Sequence, residues 1–190
     1  IGLLDSAAIT SLSCNDAAAM YPLRDLLSWL TNQKVRSIKE THLISLEGVE
    51  DWAFDGSSIR HMGGRHFDVV GVTVYSPSRE VESWSQPLIK NINGGIIGLL
   101  AQIKNGVLHF LVQARFEAGL IDSVEIAPTV QYTPDNYALL SDAHTPCFIE
   151  YFNSESSHNH LVDTSLSDEG GRFFRSEQRH MIVQIPDDEE

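Results

Sequence analysis

Two segments with the two-residue periodicity of β-strands, joined by Asn105-Gly106, are the feature that most restricts how this chain can fold. Asn-Gly favours a two-residue type I′ turn, because both central positions of that turn need positive φ. The segments 96–104 and 107–117 therefore predict an antiparallel hairpin whose register is counted from the turn. The predicted pairs are Lys104 with Val107, Ile103 with Leu108, Ala101 with Phe110, Leu99 with Val112, Ile97 with Ala114 and Gly98 with Gln113.

One face of this hairpin is apolar and the other is mixed, with a gap at Gly98. A glycine opposite a glutamine leaves space for a ligand or for a closely approaching backbone, and a simple β-bulge is the alternative explanation. Glu117 continues the mixed face beyond Gln113 and Arg115. We therefore expect that, if the protein binds a small molecule, it does so on the more polar side of the sheet.

Runs with the same period continue on both sides of the hairpin. They cover residues 66–75, 80–89 and 123–133. Before them, leucines recur at helical spacing from Leu23 to Leu30, directly after Pro22, a residue favoured at the start of a helix. A strand-rich centre flanked by helices predicts an α+β fold with a mixed, curved sheet. Pro87 predicts that its strand lies at an edge or ends there.

The chain divides into three parts by composition. They are a helical segment 1–40 that packs on the core or on a partner subunit, a strand-rich domain 41–186 and an acidic tail 187–190. Within the domain, residues 148–152 predict a short strand and residues 181–185 a final strand. The polar stretch 153–171 predicts a loop long enough to act as a lid. The tail is predicted to be solvated and disordered.

Charge excludes some classes of partner. The 190 residues include 13 Lys and Arg against 26 Asp and Glu, a net charge of -13, so a nucleic-acid partner is not expected. A nucleotide-sized anion is compatible with this balance, because one or two arginines suffice to bind it. No apolar run approaches the roughly 20 residues needed to cross a bilayer. The two cysteines form no disulfide framework, which favours a cytoplasmic location.

Three segments of the chain carry a resemblance to a known family. Their most distinctive strings are Trp84-Ser-Gln-Pro87, Pro128-Thr-Val-Gln131 and Glu169-Gly-Gly-Arg-Phe173. In this order, and over the range from about Leu43 to Pro186, the chain resembles the NDP-hexose 2,3-dehydratases of deoxysugar biosynthesis. The resemblance implies a fold related to the Nudix hydrolases and a lyase that removes water across C2 and C3 of a dTDP-linked 4-keto-6-deoxy sugar.

The resemblance also bears on assembly and on cofactors. Family members typically carry two copies of this unit, and this chain shows one, so a homodimer is expected to supply the pair. The alternatives are a non-catalytic dTDP-sugar-binding partner and, less favoured, a Nudix-type hydrolase, since the Gly-x5-Glu-x7-Arg-Glu-x2-Glu-Glu spacing is missing. We expect no redox cofactor and no obligatory metal. His158 and His160 near Asp163 are weak evidence for a metal site.

Elimination next to the C4 ketone needs a base near C3, a donor to the C4 oxygen and an acid for the leaving hydroxyl. The candidates for acid–base roles are Glu117, Glu125, His61 and Tyr137. Glu117 is preferred as the base, and a solvated strand-end carboxylate paired with Arg115 is its alternative interpretation. His61 and Glu125 have equally plausible surface roles.

Arg172 is the strongest candidate for the diphosphate, because paired glycines let backbone amides approach phosphate oxygens while a guanidinium binds them bidentately. An ion pair of Arg172 with Asp168 or Glu169 is the alternative. Trp84 is a candidate for stacking on the base. The candidates for hydrogen bonds to base and sugar are Gln86, Gln113, Thr129, Gln131 and Asn136. A structural network of buried amides would explain the glutamines as well.

Overall fold

The computed structural model describes residues 19–104, 107–122, 124–134, 145–153, 159–168 and 171–186. The helices are α1 (Leu23–Arg36) and two 3-10 helices (Leu46–Gly48 and Ile149–Phe152). The strands are β1 (Trp52–Phe54), β2 (Ser58–His61), β3 (Phe67–Tyr75), β4 (Ser83–Asn91), β5 (Ile96–Lys104), β6 (Val107–Phe110), β7 (Val112–Phe116), β8 (Val124–Pro128), β9 (Val130–Tyr132), β10 (Asn159–Ser167) and β11 (Glu177–Gln184). This content confirms the predicted α+β class. The relation to Nudix hydrolases stays a prediction.

The strands form three sheets. The first has the antiparallel order β1-β2-β3-β4, and the third is the hairpin β7-β8. The second has the order β10-β11-β5-β6, and β9 also pairs with β5. It is mixed, because β11 runs parallel to β5 while the other pairs are antiparallel. Pro87 lies in β4, the last strand of its sheet, as its missing N–H predicts.

The predicted hairpin register is confirmed for β5 and β6, where Lys104 pairs with Val107 and Ala101 with Phe110. The turn itself, residues 105 and 106, lies outside the described residues. Beyond Phe110 the prediction is wrong. At Leu111 the chain leaves β5, so that β7 pairs with β8. The pairs predicted for Leu99, Gly98 and Ile97 do not form, and β9 takes that place beside β5.

Thr129 explains why the strand can break there. Its buried hydroxyl accepts a hydrogen bond from the Leu100 N–H at 2.9 Å and donates one to the Leu111 carbonyl. Backbone groups left by the departing strand therefore keep partners inside the protein, which a buried break requires. A continuous two-residue periodicity conceals this break.

The space expected above Gly98 is filled by the protein itself. A Cβ at this position would overlap the ring of Phe152, a fully buried side chain. The core cluster consists of Leu100, Val130, Phe152, Met181 and Val183. The prediction that the gap at Gly98 admits a ligand is therefore wrong, because this part of the mixed face is the hydrophobic core.

Two further predictions fail along the second half of the chain. The segment predicted as a strand at 148–152 is a 3-10 helix that begins after Phe148, whose φ of 68° is left-handed. Strand β10 occupies residues 159–167, in the middle of the stretch 153–171 predicted as a loop. Its sequence is polar because most of its side chains are exposed, so it is defined by pairing with β11 and not by an apolar pattern.

The helix α1 begins directly after Pro22, as predicted, and none of its residues is buried. It is anchored by an ion pair between Lys34 Nζ and Asp122 Oδ2 at 2.6 Å. The Met20 N–H, just before the helix, donates to His109 Nε2 at 3.0 Å. Residues 1–18 and 187–190 lie outside the described residues. In the part of the chain that the structure describes, no helix has the length and apolar character of a membrane span.

Replacing Gly98 by alanine is expected to destabilise the protein by about 1–3 kcal/mol, because the added methyl group overlaps the Phe152 ring and the core must shift to admit it. Gly71→Ala is the matched control, since Gly71 also lies inside a strand and has open space where its Cβ would stand. Urea unfolding midpoints measure the difference. Equal midpoints for the two variants would contradict the packing.

Candidate functional site

Three arginines near β4 have no carboxylate partner within the described ranges. They are Arg79, Arg172 and Arg175, and all three are exposed. Other arginines of the chain do find one, as Arg115 does in Glu117 and Arg179 in Asp163. Arg36 and Arg65 also lack a carboxylate partner within those ranges, and what sets the first three apart is their grouping near one strand of a protein with 26 acidic and 13 basic residues. This grouping concentrates positive potential where an anion would bind.

The segment 171–174 runs beside β4 and is held there by its backbone. The Ile89 N–H donates to the Arg172 carbonyl at 2.8 Å, and the Phe174 N–H donates to the Ile89 carbonyl at 2.7 Å. Phe173 forms the corresponding parallel bridge with Ile89. The edge of β4 is thereby covered by a short segment that carries Arg172.

Trp84 and Gln86 meet this segment from β4. The Trp84 Nε1–H donates to Gln86 Oε1 at 2.7 Å, and Gln86 Nε2 donates to the Gly171 carbonyl at 3.4 Å. The structure thus brings together three of the predicted binding residues, Trp84, Gln86 and Arg172. We call this group, with Arg79, the β4 edge.

A pocket of about 630 Å³ lies at the Trp84 end of the β4 edge. It is lined by Ser78, Arg79, Glu80, Val81 and Trp84. The Arg79 guanidinium carbon lies 5.9 Å from the centre of the Trp84 ring, within the range of a cation–π contact. The size of this pocket falls in the range of small-molecule sites. The Trp84 ring and the Arg79 guanidinium suit a ligand in which a flat ring carries an anion.

Asp168 closes the loop that carries Arg172. Its Oδ2 accepts hydrogen bonds from Asn91 Nδ2 at 3.3 Å, from Gln178 Nε2 at 3.1 Å and from the Ser176 hydroxyl. Its N–H also donates to the Ser176 carbonyl at 3.0 Å. Asp168 is therefore engaged at the base of the loop, and within the described residues it forms no ion pair with Arg172. Glu169 lies outside the described residues.

A second pocket, of about 510 Å³, lies where β4 ends and β5 begins; we call it the β5 pocket. Its lining is Asn91, Ile92, Asn93, Gly94, Gly95, Ile96, Ser165, Arg175, Ser176, Glu177 and Arg179. No sequence pattern predicted this pocket. The available signal was Gly94-Gly95, which packs so closely on β11 that a Cβ at Gly94 would come within 2.7 Å of the Glu177 carbonyl.

The two guanidiniums of the β5 pocket differ in their neighbours. Arg179 binds Asp163 bidentately, with Nε to Oδ1 at 2.8 Å and Nη2 to Oδ2 at 2.6 Å. The hydrogen bonds from Arg179 lower the pKa of Asp163, and the same pair raises the pKa of Arg179. Arg175 lies 5.3 Å from the ring centre of Phe174, with a left-handed φ of 51°. Arg175 therefore supplies the unbalanced positive charge.

A separate group of predicted residues lies on β7, β8 and β9. Arg115 Nε donates to Glu117 Oε1 at 2.5 Å, and Arg115 Nη1 donates to the Gln131 carbonyl at 3.1 Å. Glu125 is the cross-strand partner of Arg115. The guanidinium of Arg115 is therefore paired with Glu117, and Glu125 lies across the hairpin from it. Gln131 is the neighbour of Ile97 in the sheet, which places this group near the same end of β5 as the β5 pocket.

Three other predicted residues make hydrogen bonds with the backbone of the protein. Gln113 Nε2 donates to the Pro128 carbonyl at 2.9 Å, and Thr129 is engaged at the break of the hairpin. His61 is buried, and its Nδ1 accepts the Gly63 N–H at 3.0 Å. Its ring centre lies 5.0 Å from that of His66 and 5.7 Å from that of Trp52. The remaining predicted residues, Asn136 and Tyr137, lie outside the described residues.

Metal-ligating side chains do not cluster in the described ranges. Within them, no group of three or more His, Cys, Asp or Glu residues has an arrangement that could hold an ion. His160 Nδ1 lies 3.7 Å from Asp163 Oδ2, and Asp163 is already bound to Arg179. His158 is outside the described residues.

Comparison with known proteins places the chain in a family. The family model described as NDP-hexose 2,3-dehydratase matches residues 23–190, so the chain belongs to this family. Its relatives include three proteins named dTDP-4-dehydro-6-deoxy-alpha-D-glucopyranose 2,3-dehydratase. That of Streptomyces violaceoruber is 39% identical over 183 residues, that of Amycolatopsis orientalis 37% over 165 and that of Saccharopolyspora spinosa 32% over 178.

The chain spans less than half the length of these relatives. The three matches cover 90%, 87% and 93% of this chain, and 41%, 35% and 36% of the respective relative. Each relative is therefore more than twice as long as the part that matches.

The ion pair of Asp163 makes a pH-dependent contribution to stability. Because Arg179 lowers the pKa of Asp163 below its unfolded value of about 3.9, the contribution is complete above that value and is lost as the pH falls through the lowered pKa. Asp163→Asn is therefore expected to lower the thermal midpoint at neutral pH and to flatten its fall between about pH 5 and pH 2.

Asp55 provides an internal reference for this measurement. The pKa of Asp55 is also lowered, chiefly by hydrogen bonds from the backbone N–H groups of Ser57 and Ser58. The wild-type protein and Asp163→Asn both keep the stability that Asp55 contributes. The acid limb of Asp163→Asn should consequently flatten only in part. Superimposable curves of thermal midpoint against pH for the two proteins would show that the pair does not contribute.

Proposed function

We propose that this chain is a dehydratase unit of sugar-nucleotide metabolism, a hydro-lyase that eliminates water across C2 and C3 of a dTDP-linked 4-keto-6-deoxyhexose. The observation that carries the proposal is the β4 edge, where Trp84 is hydrogen-bonded to Gln86, Gln86 to the Gly171 carbonyl, and the next residue, Arg172, to Ile89 through its backbone. Family membership and the names of the relatives support the same reaction and substrate.

The β4 edge suits a nucleoside diphosphate because its groups match the parts of that ligand. An indole accepts a nucleobase by stacking, an amide directs hydrogen bonds, and a guanidinium binds phosphate oxygens in pairs. Arg172 has no carboxylate partner among the described residues, so its charge is available to a ligand. A sugar-modifying enzyme must hold the diphosphate intact as a handle, and this edge provides such a hold.

The chemistry at the sugar begins from its C4 ketone, which acidifies the C3 hydrogen. A base removes this proton, a donor stabilises the C4 oxygen as it becomes an enolate, and an acid protonates the departing C2 hydroxyl. The resulting enol at C3 tautomerises to a second ketone, so the sequence is redox-neutral. Glu117, Glu125, His61 and Tyr137 are the sequence-based candidates for these proton transfers, and Glu117 is the first of them to substitute.

The proposal is tested by incubating the purified chain with dTDP-4-keto-6-deoxyglucose and following the loss of one water by mass spectrometry. Turnover supports the lyase. Binding without turnover would identify a dTDP-sugar-binding unit that acts with another protein, and release of dTMP in the presence of magnesium would identify a Nudix-type hydrolase. Either result would refute the dehydratase activity of this chain.

Light scattering on the same sample tests a second part of the proposal, that the active form is a homodimer. The support is the exposed apolar face of α1, where Leu23, Leu27 and Val35 are 57%, 51% and 79% exposed, together with the length of the relatives, which leaves room for two such units. The expected mass is twice that of one chain. A cytoplasmic location, inferred from cysteine usage, completes the proposal.

Arg172→Ala is expected to weaken dTDP binding about ten- to a hundredfold, because hydrogen bonds to a charged group contribute about 1.5–3 kcal/mol each. Trp84→Ala is expected to weaken it by a similar factor through the loss of base stacking. Isothermal titration calorimetry gives both dissociation constants. Arg24→Ala removes an exposed guanidinium of α1 and serves as the charge-matched control. If Arg172→Ala bound dTDP as well as Arg24→Ala, the β4 edge would not be the diphosphate site.

A further inference from the structure

The β5 pocket contains a carboxylate that has no assigned role. Glu177 is the acidic residue of its lining, its side chain is exposed, and it makes no ion pair within the described part of the chain. The other charged residues of the lining are Arg175 and Arg179. Asp163 outside the pocket neutralises Arg179, so Glu177 shares the pocket with one available positive charge, that of Arg175.

The position of the β5 pocket relative to the β4 edge indicates which part of a ligand it would receive. The Arg172 carbonyl accepts a hydrogen bond from the Ile89 N–H. Asn91, two residues after Ile89 in β4, lines the β5 pocket. Along β4 the order is therefore Trp84, Arg172 and pocket. Arg175 follows Arg172 by three residues, so the same loop reaches both places. A ligand with its base at Trp84 and its diphosphate at Arg172 directs its terminal group into the β5 pocket.

The chemistry of the lining fits a sugar. Asn93 and Ser165 bring an amide and a hydroxyl to the lining, whereas Asn91 and Ser176 are hydrogen-bonded to each other and to Asp168. The volume of about 510 Å³ is ample for one hexose ring. The loop is positioned from below by Asp168, whose Oδ2 collects donors from both β4 and β11. The walls of the pocket are therefore fixed relative to Arg172.

We propose, on the basis of the dehydratase function above, that the β5 pocket is the hexose subsite and that Glu177 is the catalytic base. Arg175 faces the C4 oxygen. The Glu177 carboxylate takes the C3 proton, the C–H electron pair forms the enolate, and Arg175 stabilises its charge. The enolate then collapses to a C2–C3 double bond, the C2–O bond breaks, and protonated Glu177 returns its proton to the leaving hydroxyl. One water is lost, and no other reactant is consumed.

The geometry favours Glu177 over the sequence-based choice, Glu117. Glu117 accepts a hydrogen bond from Arg115 at 2.5 Å, so its carboxylate is already engaged by a side chain of the protein. Glu177 has no such partner among the described residues and lies in a pocket at the end of the β4 edge.

The test compares Glu177→Gln with the wild-type protein for turnover, dTDP affinity and exchange of the C3 hydrogen with solvent deuterium. The substitution keeps the size of the side chain and removes the base. We expect kcat to fall at least about a hundredfold and C3 exchange to disappear, with the dissociation constant for dTDP changed less than about threefold. Glu50→Gln, an exposed glutamate outside both sites, is the control and is expected to retain full activity.

Three outcomes would overturn the inference. The first is a turnover rate of Glu177→Gln equal to that of the wild-type protein. The second is C3 exchange that persists in Glu177→Gln. The third is that Glu117→Gln is inactive while Glu177→Gln remains active. Each leaves the proposed function intact, because the wild-type enzyme still turns over.

If the wild-type chain binds dTDP without turnover, the hexose subsite is tested by affinity. The proposal expects dTDP-4-keto-6-deoxyglucose to bind more tightly than dTDP, and expects Arg175→Ala to remove that difference while leaving dTDP binding unchanged. An undiminished difference in Arg175→Ala would overturn the subsite. Circular dichroism of each variant excludes loss of folding as the cause.

Discussion

The contact between the Phe152 ring and the backbone at Gly98 sets the arrangement of the rest of the protein. Gly98 is the point where β5 pairs with β11 on one side and with β9 on the other, and only a residue without a side chain lets the ring lie on the strand. Phe152 is thereby completely withdrawn from water, and the core forms around it. Because the centre of the sheet is filled with apolar side chains, any ligand has to bind at the margins.

The candidate site is consequently built where two sheets meet. Segment 171–174 joins the edge of β4 through Ile89, and the loop that contains it begins and ends in β10 and β11. Asp168 links the two sheets from beneath, since one of its oxygens binds Asn91 of β4 and Gln178 of β11. Through this cross-link, Arg172 lies between the pocket at Trp84 and the β5 pocket, and Arg175 lines the β5 pocket. Two exposed guanidiniums, those of Arg172 and Arg175, thus lie on one loop of a protein that is strongly acidic overall.

Sequence patterns predicted those parts of the fold that local chemistry determines. The turn residues fixed the register of β5 and β6, Pro87 marked an edge strand, and Pro22 marked the start of α1. The patterns failed where long-range contacts decide. The branch at Leu111 depends on the hydroxyl of Thr129, and the polar strand β10 depends on its partner β11.

The candidate site shows the same division. Trp84, Gln86 and Arg172 lie in distinctive sequence strings, and they come together in the structure. Glu177 and Arg175 have no recognisable local pattern, because what they share is a cavity assembled from β4, β5 and β11. The gap predicted at Gly98 has the same explanation, since a glycine indicates a close approach and does not identify the group that approaches, here the Phe152 ring.

The parallel pairing of β5 with β11 has a consequence for how the protein reaches its working form. Ile97 and His180 are adjacent in the sheet although more than eighty positions separate them along the polypeptide. Such a remote pairing carries a large loop-closure cost, and it typically forms late and slowly. A nascent chain on the ribosome therefore has to expose the flank of β5 until β11 emerges, and the β5 pocket forms only once the two strands have paired.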